Sequence, residues 1–137
     1  MDGDNESIEG ACLAHLAHGT TSIVPTTITS TRESMMDTLR LFNEVELDKP
    51  GHPSILGLHL EGPYFSPLQA GAQDPKYLRN PDSHEYQEAL ALTDRIIRWS
   101  FAVELPGSDL FLKTLREHNI ATSVAHSNAS CKEVEAA

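Results

Sequence analysis

The chain of 137 residues is poor in basic side chains and has no long apolar run. It contains 10 lysines and arginines against 20 aspartates and glutamates, for a net charge of −10. Nucleic acids and anionic membranes bind proteins through excess positive charge, so the composition excludes both as partners. No apolar run approaches the roughly 20 residues of a membrane-spanning helix, and the first residues lack a signal-peptide pattern. We expect a cytoplasmic protein.

Cysteine and glycine-rich loops are also scarce. Cys12 and Cys131 are the two cysteines, and they lie far apart with no motif around them. Reduced thiols in a cytoplasmic protein are the simplest interpretation. No glycine-rich phosphate-binding loop follows any predicted strand, which disfavours a nucleotide-binding sheet.

What the sequence does contain is a regular alternation of helical and extended segments. Capping residues and apolar spacing predict helices that begin near Asn5, Ser30, His84, Ser108 and Ser130. β-branched and apolar runs predict four strands between them, at residues 20–25, 55–61, 96–104 and 120–125. Residues 62–82, with four prolines and two glycines, are predicted to be an irregular loop, and loops of this length tend to carry function.

Strands that alternate with helices predict a parallel sheet with right-handed crossovers. The apolar run 55–60 predicts a strand that is buried on both faces, as is typical of parallel sheets. Four such units with two open sheet edges match about half of a (β/α)8 TIM barrel, which normally needs about 250 residues. We therefore predict an α/β fold forming a partial barrel of about four βα units. A flavodoxin-like open sheet is the alternative.

The chemistry is predicted to lie at two strand ends. Glu61 ends the second predicted strand before Gly62 and Pro63, and His126 follows the fourth strand. Side chains at the carboxyl ends of barrel strands converge on one pocket. A carboxylate with an imidazole is a plausible half of a site for zinc or iron, although either residue could instead cap or brace the fold.

The remaining histidines are weaker candidates. His59 shares the face of Glu61 because side chains alternate along a strand, so it could support the site from beneath. Glu104 also ends a predicted strand and could point into the pocket or form a structural ion pair. The other five histidines are predicted to lie on helix ends or turns, where they are structural or solvent-facing.

Several stretches closely resemble one family, the N-acetylglucosamine-6-phosphate deacetylases, which are metal-dependent TIM-barrel enzymes of the amidohydrolase superfamily. The most specific are HLEGPYFSP, which begins at His59, and AGAQDP, which begins at Ala70. HGTTS at His18, AVEL at Ala102 and AHSNA at Ala125 follow the family order and extend the resemblance over nearly the whole chain.

The resemblance implies an activity and a set of site residues. The implied reaction removes the acetyl group from N-acetylglucosamine 6-phosphate, with a divalent metal ion, zinc or iron, that polarises the amide carbonyl. Glu61 and His126 match two metal ligands of the family, and Ala72 and Gln73 match its sugar pocket. His59 is a possible supporting residue.

Other parts of the family pattern are missing. The family's HxHG motif, its second later histidine and its catalytic aspartate have no counterpart here, so no catalytic residue is assigned. We expect residues 1–137 to be an internal fragment of the metal-dependent hydrolase barrel domain, inactive alone. Its open sheet edges favour homo-oligomers. The alternatives are another amidohydrolase-superfamily hydrolase or a non-catalytic, self-associating half-barrel.

Overall fold

The computed structural model describes residues 4–137. This part of the chain contains five α-helices, five strands and two 3₁₀ helices, the latter at Pro67–Gln69 and Pro75–Tyr77. The helices are α1 (Asn5–Ala17), α2 (Arg32–Asn43), α3 (Ser83–Leu92), α4 (Ser108–Glu117) and α5 (Cys131–Ala136). The strands are β1 (Ser22–Ile23), β2 (Ser54–Ile55), β3 (Leu58–Glu61), β4 (Ile96–Phe101) and β5 (Ala121–Val124).

All the strand pairs are parallel, and every pair is formed by two strands that are neighbours in sequence. One sheet has the order β1-β2 and the other has the order β3-β4-β5. A parallel bridge between Thr26 and His59 joins the two sheets. The strands thus follow one another around a single curved sheet, as in a barrel, and a flavodoxin-like order would need a reversal that is absent from residues 4–137.

The predicted strand 55–61 is divided in two at Gly57. The backbone of Gly57 has a φ of +147°, and a Cβ atom there would lie 2.5 Å from the Ile97 Cγ2 atom. Hydrogen bonds to the first strand continue on both sides of the break, from Leu56 N to Ile23 O and from His59 N to Pro25 O. A local kink that only glycine tolerates therefore interrupts one continuous strand path.

The helices cover one face of the sheet with an aromatic core. Phe111 of α4 lies at its centre, with its ring centroid 5.0–5.1 Å from four other aromatic rings. All five side chains are at most 1% exposed. The four partners are Tyr64, Tyr86, Trp99 and Phe101. This core fixes the outer face of β3 and β4 against α3 and α4.

The opposite face of the sheet is polar and partly open, which corrects the prediction of a strand buried on both faces. Leu58 and Leu60 are fully buried on the helix side, whereas His59 and Glu61 are half-buried and Leu56 is 58% exposed. The inner face of this sheet is therefore where polar groups from neighbouring strand ends meet.

Helix caps follow the predictions closely, with shifts of one residue. The N-cap residue is Asp4 instead of Asn5 in α1, Thr31 instead of Ser30 in α2, and Gly107 instead of Ser108 in α4. The capping box of Ser130 and Glu133 is confirmed, since each side chain bonds the other's backbone N–H. Cys12 and Cys131 are both free thiols, one buried and one exposed.

The long loop 62–82 is irregular, as predicted, and is anchored to the helices. Arg79 donates from Nε to both carboxylate oxygens of Glu85 at 3.0 and 3.1 Å and from Nη1 to the Ser30 carbonyl at 2.9 Å. The Tyr64 hydroxyl donates to the same Glu85 carboxylate at 2.9 Å. Burial, with the Glu85 carboxylate beside it, raises the pKa of Tyr64 far above its usual range. These bonds tie both ends of the loop to α3.

Candidate metal centre

Glu61 is the last residue of β3, and backbone contacts on both sides fix its direction. Its N–H donates to the Thr27 hydroxyl at 3.3 Å, and its carbonyl accepts from the Thr29 hydroxyl at 3.4 Å. The next residue, Gly62, accepts from the Trp99 indole N–H at 2.9 Å. The carboxylate thus projects from the carboxyl end of a strand whose position the aromatic core determines.

His126 lies two residues beyond β5, in a turn that approaches the same strand end. Its backbone φ of +45° is unusual for a residue other than glycine. Its carbonyl accepts from the Ser66 N–H at 3.0 Å, and its ring packs on the Phe65 ring at a centroid distance of 4.5 Å. The turn therefore places the imidazole against the beginning of the long loop.

The two predicted site residues meet. The Nε2 atom of His126 lies 3.4 Å from the Oε1 atom of Glu61, and both side chains are partly exposed. The other ring nitrogen, Nδ1, lies 2.9 Å from the Gln69 carbonyl oxygen. A carbonyl can only accept, so Nδ1 carries a proton. Nε2 is therefore the ring nitrogen that faces the Glu61 carboxylate.

The separation of these two atoms fits a divalent metal ion that binds both side chains. Two ligand atoms about 2.1 Å from one tetrahedral Zn²⁺ ion lie about 3.4 Å apart, which matches the observed separation. A ring N–H donated to a backbone carbonyl is also the usual support of a metal-binding histidine. Within residues 4–137 no group of three or more histidine, cysteine, aspartate or glutamate side chains could hold a metal ion. Glu61 and His126 by themselves fall short of such a group.

His59 lies beneath this pair on the same face of β3, but its ring nitrogens bond elsewhere. Nε2 lies 2.7 Å from the Ser100 hydroxyl, and Nδ1 lies 3.2 Å from the Thr26 hydroxyl. Burial, with the positive charge of Arg98 as a second cause, lowers the pKa of His59 below its ordinary value. The ring is therefore a neutral brace between strands, and it makes no direct hydrogen bond to Glu61 or His126.

The two residues predicted to face a sugar, Ala72 and Gln73, lie in the long loop near the pair. Ala72 is exposed, whereas the Gln73 side chain is buried and its Oε1 atom accepts from the Thr29 N–H at 3.1 Å. The neighbouring Gly71 has a φ of +57°, and a Cβ atom there would lie 3.3 Å from the His126 ring. The Gln73 side chain therefore braces the loop, whereas the Ala72 side chain is exposed.

Glu104 bonds the turn that follows His126, and among residues 4–137 it forms no ion pair with a basic residue. Its Oε2 atom accepts from the Ser127 hydroxyl and its Oε1 atom accepts from the Asn128 N–H, both at 2.6 Å. Partial burial opposes the charge, but the hydrogen bonds from Ser127 and Asn128 lower the pKa of Glu104 below its ordinary value. Sequence reasoning missed this contact and that of the Gln69 carbonyl, because neither a backbone acceptor nor a contact between strand ends has a sequence signature.

The arrangement defines the class of fold. Parallel strands in sequential order, helices on the outer face and polar residues at the carboxyl ends characterise a segment of a (β/α)8 barrel. Among the described residues, no helix is both long and apolar enough to cross a membrane. No protein-family model matches the chain.

Comparison with curated proteins identifies the relatives. The chain is 29% identical over 138 aligned residues to the N-acetylglucosamine-6-phosphate deacetylase of Lysinibacillus sphaericus, covering 100% of this chain and 36% of that protein. It is 33% identical to the mouse (Mus musculus) enzyme of the same name, covering 89% of this chain and 30% of that protein. The N-acetylgalactosamine-6-phosphate deacetylase of Escherichia coli O157:H7 is 27% identical, covering 100% of this chain and 37% of that protein.

Solved structures give the same result. The N-acetyl-D-glucosamine-6-phosphate deacetylase of Mycobacterium smegmatis superposes with a TM-score of 0.89 at 26% identity, over 98% of this chain and 35% of that one. A mutant of that enzyme in complex with N-acetyl-D-glucosamine-6-phosphate gives 0.88 at 26% identity, over 98% and 34%. The chain is thus homologous to N-acetylglucosamine-6-phosphate deacetylases and spans about a third of their length.

Proposed function

We propose that residues 1–137 form part of the barrel domain of a metal-dependent deacetylase that acts on N-acetylglucosamine 6-phosphate. Glu61 and His126 are two ligands of its divalent metal ion, zinc or iron. The observation that carries the proposal is the pair itself: Nε2 and Oε1 lie 3.4 Å apart while the Gln69 carbonyl holds the Nδ1 proton. Homology to deacetylases over the whole chain supports the same assignment.

In this function each residue has a separate task. Glu61 contributes negative charge and His126 contributes a neutral nitrogen, a ligand set that suits zinc or iron. When bound, such an ion acts as a Lewis acid toward an amide carbonyl. The Gln69 carbonyl fixes the ring orientation of His126. Ala72 and the main chain of Gln73 line the side of the pocket where the acetamido sugar binds, because Gly71, the residue directly before them, lies against the His126 ring.

Zinc titration of the purified chain, followed calorimetrically, tests the ligand assignment. We expect one zinc ion per chain, with binding weakened at least tenfold in Glu61→Gln and in His126→Asn. His118→Asn is the matched control, since His118 is exposed at the end of α4 and should leave binding unchanged. Equal zinc affinity of all four proteins would overturn the assignment of Glu61 and His126.

A substrate test separates this function from that of the related galactosamine deacetylases. The two sugar phosphates differ at one hydroxyl group, so the 137-residue chain can be titrated with each in the presence of zinc. We expect measurable perturbation of the amide resonances of residues 70–73 by N-acetylglucosamine 6-phosphate, and weaker changes with the galactosamine epimer. A preference for the epimer would favour the second activity, which the homology to the Escherichia coli protein makes the alternative candidate.

The chain alone should not release acetate from either sugar phosphate. Amide hydrolysis needs a general base that passes a proton to the departing amine, and no residue is assigned that role here. Acetate formation by the pure 137-residue protein, abolished in Glu61→Gln, would show that the base lies within the chain. A cytoplasmic location and self-association through the open edges of β1 and β5 remain predictions, the latter testable by sedimentation.

A further inference from the structure

A carboxylate outside the Glu61–His126 pair holds the turn that presents His126. Glu104 lies between β4 and α4, three residues beyond the end of its strand. Its two oxygens accept from the Ser127 hydroxyl and the Asn128 N–H, both at 2.6 Å. One side chain therefore bonds the two residues that directly follow His126, and it joins the loop after β4 to the turn after β5.

The turn needs such support. A residue other than glycine with φ near +45° is strained relative to ordinary backbone, and it persists only where its surroundings hold it. Hydrogen bonds to a charged carboxylate are stronger than those between neutral groups, and two of them offset that strain. The remaining restraints are neutral: the Ser66 N–H bonds the His126 carbonyl, and the Gln69 side chain bonds Asn128.

We propose that Glu104 is a positioning residue for the cation site, which fixes the turn 126–128 so that Nε2 of His126 faces Glu61. The identity of the ligand, a divalent cation, rests on the proposed function. The contact between Glu104 and the turn does not depend on that function. Without Glu104 the turn can relax to φ below zero, which moves the imidazole away from both the Gln69 carbonyl and the Glu61 carboxylate.

The first test uses the metal-free chain and does not depend on zinc binding. Two-bond proton–nitrogen correlation spectra report which ring nitrogen of His126 is protonated. We expect the wild type to show one form with Nδ1 protonated, and Glu104→Ala to show fast exchange between the two forms with altered shifts for residues 126–128. An unchanged His126 ring and turn in Glu104→Ala would overturn the proposal.

The second test measures zinc affinity, with controls for charge and folding. Residues that orient a metal ligand typically change affinity 10- to 100-fold, so Glu104→Ala should weaken zinc binding at least tenfold. Glu104→Gln retains one acceptor and should fall between. Asp109→Ala removes an exposed carboxylate five residues away and should leave affinity unchanged. Ser127→Ala tests the same contact from the other side if Glu104→Ala fails to fold.

The two tests separate failure of this inference from failure of the proposed function. A changed His126 ring in metal-free Glu104→Ala, with no zinc bound by any protein, would support the positioning role and overturn the metal site. Zinc binding that depends on Glu61 but is unaffected by Glu104→Ala would support the metal site and overturn the positioning role.

Discussion

Phe111 packs against the outer face of the sheet, opposite the face that carries the site, and its truncation should have a large effect on stability. The side chain is fully buried and its ring contacts four aromatic rings at centroid distances of 5.0–5.1 Å. Truncation of a buried phenylalanine to alanine costs about 3–5 kcal/mol, and aromatic pairs add about 0.5–1.5 kcal/mol each beyond area burial. Phe111→Ala should therefore lie at the upper end, near 5 kcal/mol.

Urea unfolding, followed by circular dichroism and by the fluorescence of the single tryptophan, Trp99, measures this effect. A loss of that size is a large share of the roughly 5–15 kcal/mol that stabilises a small domain. Phe111→Leu should lose less, since it keeps most of the volume. Leu110→Ala changes the neighbouring residue of α4, which is 57% exposed, and should stay within about 0.5 kcal/mol of wild type. A loss below about 1.5 kcal/mol in Phe111→Ala would refute the central place of this ring.

Two further predictions concern the strand that leads to the site. Gly57→Ala should destabilise the chain by about 2 kcal/mol, because the φ of Gly57 is +147° and an added Cβ atom would lie 2.5 Å from the Ile97 side chain. Gly10→Ala should not destabilise it, because nothing in helix α1 crowds that position. The second prediction is a pH effect at His59. Burial and the positive charge of Arg98 lower the pKa of this residue in the folded state below its ordinary value near 6.5. As the pH decreases, the unfolded chain therefore takes up a proton at His59 before the folded chain does. The free energy of unfolding thus falls as the pH decreases below about 6.5. His59→Gln should reduce this pH dependence in urea titrations at pH 5 and 7.5; an unchanged slope would contradict it.

Much of the fold could be predicted from local pattern. The alternation of capped helices with apolar runs predicted parallel strands in order, and the abrupt end of a strand at Glu61 predicted where its carboxylate would lie. The capping box at Ser130 was predicted correctly because both partners lie within one helical turn. The shift from Ser30 to Thr31 shows the limit: both hydroxyls can cap, and tertiary packing of α2 selects one.

What the sequence could not predict depends on contacts between distant segments. The kink at Gly57 follows from the position of the Ile97 side chain, which belongs to the next strand. The expectation of two buried faces was wrong for Leu56 because an apolar run does not reveal which face meets helices. The contacts of Glu104 with the turn after His126 join residues 23 and 24 positions apart, so neither segment alone signals them.

If Glu61 and His126 share one divalent cation, the ring nitrogens of His126 report its binding most directly. Zinc should be added to the isotopically labelled chain while all seven histidine rings are followed by nitrogen-15 correlation spectra. We expect the Nε2 resonance of His126 to shift on zinc addition while Nδ1 keeps its proton, and we expect Glu61→Gln to weaken the change. Zinc shifts confined to the exposed rings of His15, His18 or His118, with His126 unmoved, would contradict it.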